Sequence, residues 1–236
     1  MTMEPQPPAD PPKRKVHSFE IDSILWWKQS GVWIVGIFVV VAFMMSQQPG
    51  RGGRKNGDQT QAVNNARQIG LALSEFQEKY GKFPDATTIA AVRKDTATDL
   101  NLGKKSANDF FRQLFATGIV QSETIFFAKI AGTHSADNNF TKTEALKKGE
   151  CAFGYFLGAT EADNPLRPVV ATPLIPGTDQ FDPKPFKGKA VILKMDNSVT
   201  SHTIDKEGHV RIDGRNLMDP QHPIWEGHPP VIAWPE

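Results

Sequence analysis

Cysteine is almost missing from this chain: Cys151 stands alone in 236 residues. A single thiol excludes an intrachain disulfide and any cysteine-rich zinc site. Its absence as a pair leaves the redox compartment open. Charge of one sign is missing too. Lys and Arg number 27 against 26 Asp and Glu, a formal net charge of +1. No global basic field exists to hold nucleic acid, and no aromatic-basic stripe replaces it, so nucleic acid is not an expected partner. Also lacking are a phosphate loop, a GxSxG nucleophile elbow, an HExxH helix and a dinucleotide fingerprint. Acidic residues are plentiful, but nothing in their spacing singles out an acid–base couple.

Long apolar runs are rare, and the one present is short. Gly31 to Met45 (GVWIVGIFVVVAFMM) carries no charge. As a helix it reaches only ~22 Å, less than a ~30 Å hydrocarbon core. Extension back to Ile24 adds Leu25, Trp26 and Trp27, which suit the interface, and Lys28, which can snorkel. The sequence therefore predicts a single transmembrane helix at 24–46, preceded by a disordered, Pro-rich cytoplasmic tail at 1–23. No small-x-small cleavage site follows, so the reading is an uncleaved anchor in the lipid bilayer. Lys13, Arg14, Lys15 and Lys28 before the run, against Arg51, Arg54 and Lys55 after it, lean toward N-inside. Residues 47–57 (QQPGRGGRKNG) read as a flexible linker, because Gly and Pro propagate a helix poorly.

What is abundant comes next, in residues 58–236, which read as one globular domain. Ala62, Ala66, Ile69, Leu73, Phe76 and Tyr80 recur at steps of three and four. They predict an amphipathic helix from Asp58 to Tyr80. Gly81 and Pro84 end it. Asp85 is positioned to cap a short helix at 86–94. Ser106 and Asp109 form a capping-box start for another, with Phe110, Phe111, Leu114 and Phe115 on its apolar face. Then β signals take over: Thr124 to Ile130, Cys151 to Leu157, and a piece at Val169–Ala171 inside a Pro-rich stretch. The best hairpin is Ala190 to Met195, the turn Asp196-Asn197, and Ser198 to Ile204. A last strand is expected at His209 to Ile212, followed by a tail anchored by Trp225, Ile232 and Trp234. The fold class is thus α+β: an amphipathic helix packed on a small antiparallel sheet, with a helical insertion, after a single transmembrane helix.

The wording of the helix, Asn64, Arg67, Gln68, Ile69, Gly70, Leu71, Ala72 and Leu73, then Tyr80, Gly81, Phe83 and Pro84, resembles the pseudopilin-like proteins of type II secretion. The hairpin residues Asp196, Asn197, Ser198 and Val199 resemble the family's closing turn. The resemblance covers about a third of the chain. It implies a non-catalytic structural protein of a type II secretion or pilus-type system or of the cell envelope. It also implies other secretion or envelope proteins as partners, and a periplasmic domain at the cell inner membrane. Where the family carries a glutamate five places after its processing site, this chain has Gly36, and Val32 follows the candidate Gly31. Processing and filament packing are therefore not expected.

Candidate chemistry is sparse. Cys151 with His134, His202 or His209 would make a nucleophile pair, but Cys151 sits in an apolar strand pattern that favours an inert thiol. His202 and His209 flank a hairpin without zinc-ligand spacing. Some pseudopilins bind calcium in their C-terminal sheet region. The resemblance makes Asp196, Asp205 and Asp213 calcium candidates, each supplying hard oxygen ligands and each also a good turn residue. No other cofactor is expected. Two alternatives stay open: a membrane-tethered periplasmic ligand-binding module, which needs a concave pocket, and an envelope hydrolase, which needs clustered His, Asp and Cys.

Overall fold

The computed structural model describes residues 51–160 and 163–236, with side chains from residue 56 onward. The first element is α1 (Arg51–Tyr80). It is followed by α2 (Ile89–Thr96), α3 (Ala107–Ala116) and a 3-10 turn at Glu123–Phe126. The strands are β1 (Gly154–Phe156), β2 (Pro168–Thr172), β3 (Lys189–Lys194) and β4 (Val199–Thr203). Three short ones complete the set: β5 (Arg211–Ile212), β6 (Arg215–Asn216) and β7 (Ile232–Ala233). The main sheet has the order β4-β3-β2-β1-β7 and every pairing in it is antiparallel.

The expected membrane helix at 24–46 requires correction. That segment lies outside the described residues, as does the tail at 1–23. Among the described residues no helix is long and apolar enough to cross a membrane. The longest, α1, is amphipathic and begins with polar and Gly-rich residues. The described fold is therefore α+β, with three α-helices and a five-stranded antiparallel sheet, and no spanning element belongs to it. The linker boundary also moves. Residues 51–57 are helical and continue directly into the amphipathic stretch. Gly52, Gly53 and Gly57 weaken a helix by about 1 kcal/mol each but do not forbid one.

The helix periodicity has its predicted consequence. Ala62, Ala66, Ile69, Leu73 and Phe76 are buried, and Tyr80 packs against the same core. This face of α1 lies on β3 and β4 and on the 3-10 turn. Gly81 closes α1 in the left-handed region (φ 77°) with its N–H donating to Gln77 O at 2.7 Å. Phe83 then enters the core, and the Tyr155 hydroxyl of β1 donates to Pro84 O at 3.0 Å. Asp85 accepts from the N–H groups of Thr87 and Thr88, so the turn into α2 is capped one residue after another. Ser106 and Asp109 form the reciprocal capping box of α3.

Strand β3 is buried on both faces, which its unbroken Ala-Val-Ile-Leu run anticipates. Alternate residues go to opposite sides. Val191 and Leu193 join the core under the helices, while Ala190 and Ile192 join a second core with Phe156, Phe181, Val210, Leu217 and Trp225. The C-terminal segments thus form a third layer over the far face of the sheet. Two strand expectations fail. Residues 124–130 form the 3-10 turn and an extended exit, not a strand. The expected strand 151–157 pairs over 154–156 alone. Both runs are aromatic, and burial satisfied them without a ladder.

Candidate functional site

The seam between α1 and the β3–β4 hairpin brings Gly70 and Ser74 against Leu193 and Asn197. Gly70 is buried at the closest approach. A Cβ placed there would lie 2.5 Å from Asn197 Oδ1 and 2.9 Å from Leu193 Cδ1. Asn197 occupies the left-handed region (φ 61°) of the hairpin turn, which Asn tolerates. From there its Nδ2 donates to Ser74 Oγ at 2.8 Å. Lower on the same helix, buried Asn65 donates to the carbonyls of Thr124 (2.9 Å) and Phe127 (2.7 Å). The helix is therefore fastened to the hairpin on one side and to the 3-10 turn on the other. On its outer face Leu71 is 66 % exposed. It borders a hollow of about 330 Å³ lined by Gln68, Glu75, Ile119 and Val120. A second hollow of about 360 Å³ shares Val120 and Gln121 with the first and is walled by Phe115 and Phe140. Both are open surface depressions with apolar walls, a form suited to a protein contact.

The three predicted calcium residues sit in three separate turns. Asp196 is in the β3–β4 turn, where Oδ1 accepts from Ser198 N at 2.9 Å. Asp205 is spent on its own loop. Its Oδ1 accepts from Glu207 N and His209 N, and its Oδ2 pairs with Arg211 at 2.7 Å. Hydrogen bonding from His209 N–H heads the causes that hold its carboxyl below the usual aspartate range, with Arg211 adding to it. Asp213 stands between β5 and β6 at φ 50°. Groups of potential ligand atoms within 4.8 Å of one another occur twice among the described residues, and neither contains this trio. One group is Asp205, Glu207 and His209, on the exposed loop already tied by Arg211.

Cys151 is buried, and its Sγ donates to Phe153 O at 3.5 Å. Burial pushes its thiol up to about 12. A nucleophile needs the thiolate, and this position withholds it at neutral pH. His202 belongs to another part of the molecule, with Nε2 against Thr200 Oγ1 at 2.8 Å. Burial, then Lys194 and Lys189, keep it below the usual histidine value.

The second ligand group had no motif to announce it: Glu123, Asp137 and Glu150 come together from separate stretches of the α3–β1 connection. Glu123 opens the 3-10 turn, Asp137 is in the polar loop, and Glu150 leads into β1. The turn at 144–147 organises them. Its carbonyls face α3, where Arg112 donates to Ala145 O and Leu146 O and Asn108 donates to Leu146 O and Lys147 O. Its N–H groups face the carboxylates: Leu146 N donates to Glu123 Oε1 at 2.5 Å, and Lys147 N to Glu150 Oε2 at 2.9 Å. Asp137 N donates to Glu150 Oε1, and the Lys147 ammonium donates to Asp137. Sequence spacings of 13 and 14 residues through a loop carry no recognisable period, so only three-dimensional closure reveals the cluster.

Comparison of the chain with family models, curated proteins and solved structures found no match to any of them.

Proposed function

We propose that residues 58–236 are a non-catalytic assembly domain of pseudopilin type, a structural part or accessory of a secretion- or pilus-type apparatus in the cell envelope. The observation that carries this reading is the seam at Gly70. Gly70, from the helix that resembles the family's, lies there against Asn197, which stands where the family's closing turn has glycine and keeps the same left-handed backbone. A helix packed closely on the closing hairpin is the arrangement that the resemblance implies, and it supports the reading. Leu71, one position along, points outward at the edge of the smaller hollow and supplies a contact surface for a neighbouring envelope protein. The buried, protonated thiol of Cys151 lends no support to a hydrolase. The reading carries with it a location on the periplasmic side of the cell inner membrane, which the resemblance implies.

The test is a photo-crosslinking amino acid at Leu71 in the full chain, expressed in its own cells. Adducts with secretion- or pilus-type components are expected, and a periplasm-dependent reporter fused after Glu236 is expected to be active. Activity of a cytoplasm-dependent reporter at that position, with no adduct formed, would overturn the reading.

A further inference from the structure

We propose that Glu123, Asp137 and Glu150 form a divalent-cation site, with calcium as the fitting ion, that clips the long α3–β1 connection closed. The proposal is independent of the pseudopilin reading. It also lies away from the C-terminal turns holding Asp196, Asp205 and Asp213.

The first support is geometric. One oxygen from each carboxylate lies within 4.8 Å of the others. Oxygens on opposite sides of a calcium ion, bound at ~2.3–2.6 Å, stand ~4.6–5.2 Å apart, and neighbouring ones are closer. The three oxygens are thus close enough to share one ion, once the Lys147 ammonium swings off Asp137. Magnesium, at ~2.0–2.1 Å, demands a tighter and more regular octahedron than three carboxylates on a loop supply. An all-oxygen donor set disfavours zinc and copper, which select nitrogen and sulfur.

The second support is an orphan atom. Glu123 is 0 % exposed, and its Oε2 has no hydrogen-bond partner. Oε1 of the same carboxylate is satisfied by Leu146 N–H, so the group is held in place with one oxygen left over. A buried polar atom without a partner is destabilising by about 1–3 kcal/mol. Here the neighbours aggravate the loss. Burial raises the Glu123 pKa, and the charges of Glu150 and Asp137 raise it further. Glu150 is also 0 % exposed. Neither buried glutamate is in an ion pair among the described residues; the nearby ammonium of Lys147 is paired with Asp137 and Glu144 instead. Asp137, at the solvent edge, is compensated by Lys147, while the charges of buried Glu123 and Glu150 have no ion-pair partner among the described residues. A cation between them supplies the missing partner and the missing charge together. Asp137 is exposed and offers the entry side.

The consequence is local order. The three residues are anchored to different parts of the connection: the 3-10 turn, the loop tip and the approach to β1. Asn138, beside Asp137, already accepts from Glu123 N–H at 2.9 Å. Phe140, two residues further, leans on Phe115 at 5.2 Å and walls the larger surface hollow. An ion in the cluster holds that wall.

The experiment uses the full chain, stripped with chelator. Calcium chloride is titrated by calorimetry, and thermal unfolding is followed with calcium, with magnesium and with chelator. One calcium should bind per chain, raise Tm more than magnesium does, and bind more weakly at pH 5 than at pH 7.5, because protons compete with the ion for carboxylate ligands. Glu123→Gln and Asp137→Asn should each weaken binding on the order of tenfold or more. Asp137 is exposed, so its variant remains informative if the glutamate variant fails to fold. Asp205→Asn, in the other acidic loop, should leave the affinity unchanged. Absence of binding at millimolar calcium overturns the proposal, as does binding that survives both cluster variants or is lost with Asp205→Asn. A Tm that rises with acid and ignores calcium also overturns it, since Glu123 is then satisfied by a proton.

Discussion

Gly70→Ala sets two effects of opposite sign against each other. In an exposed helix interior, replacing Gly by Ala stabilises by about 0.5–1 kcal/mol, through propensity and a less flexible unfolded chain. Gly70 is not exposed. The added methyl would stand 2.5 Å from Asn197 Oδ1, 2.9 Å from Leu193 Cδ1 and 3.4 Å from Leu193 Cδ2. Leu193 is fully packed in the core and has little room to yield. Asn197 can swing, but it then gives up its bond to Ser74, a net loss of about 0.5–1.5 kcal/mol. Overpacking adds roughly 1–3 kcal/mol. The sum favours a net destabilisation of about 1–3 kcal/mol, or roughly 2–10 °C in Tm for a domain of this size. Gly57→Ala, in the same helix with no atom within 4 Å of the new methyl, is the control. It should raise Tm slightly. Urea and thermal unfolding followed by circular dichroism measure both. In the Gly70→Ala background, Asn197→Gly should recover part of the loss, because Gly keeps the positive φ and removes the clashing amide. A Gly70→Ala protein as stable as Gly57→Ala would refute the close approach of helix and hairpin.

Three further outcomes follow from the same structure. Leu73→Ala, at a fully buried position, should cost roughly 2–5 kcal/mol, while Glu78→Ala on the exposed face should stay within about 0.5 kcal/mol; equal urea midpoints would mean that the apolar stripe faces no core. Iodoacetamide at pH 8 should leave Cys151 unmodified in the native protein and label it in denaturant, since its thiol is buried and pushed up to about 12; rapid native labelling by intact mass would contradict the burial. Glu123 makes stability pH-dependent in chelator. Its folded pKa lies above the unfolded value of 4.5, so the native state binds the extra proton, and its contribution is present below about pH 4.5 and lost as pH rises through the raised value. Glu123→Gln cannot ionise, so its stability advantage over the natural protein should widen between pH 4 and pH 7.5. A constant difference would show that the carboxylate is not destabilised by its surroundings.

Local patterns in the sequence determined the elements that depend on near neighbours. The three-four spacing from Ala62 to Phe76, the Gly81 stop, the Ser106–Asp109 capping box and the Asp196-Asn197 hairpin all follow from steric and hydrogen-bonding rules acting within a few residues. The α1 start did not, because a Gly-rich stretch is only a weak veto once a long helix continues from it. Aromatic runs at 124–130 and 151–157 looked like strands because burial and β-propensity share the same residues. Tertiary contact alone decided that the first would be a turn held by Asn65. The closing strand β7, only two residues long, exists because Tyr155 and Phe156 offer it an edge. The same holds for the acidic cluster. Glu123, Asp137 and Glu150 are ordinary solvated residues in a one-dimensional reading, and Asp196, Asp205 and Asp213 looked the better ligands. Arg112 and Asn108, reaching from α3 to the carbonyls of one distant turn, aim that turn's N–H groups at Glu123 and Glu150 and so bring the carboxylates together. Such convergence depends on chain closure across dozens of residues, for which no local period exists.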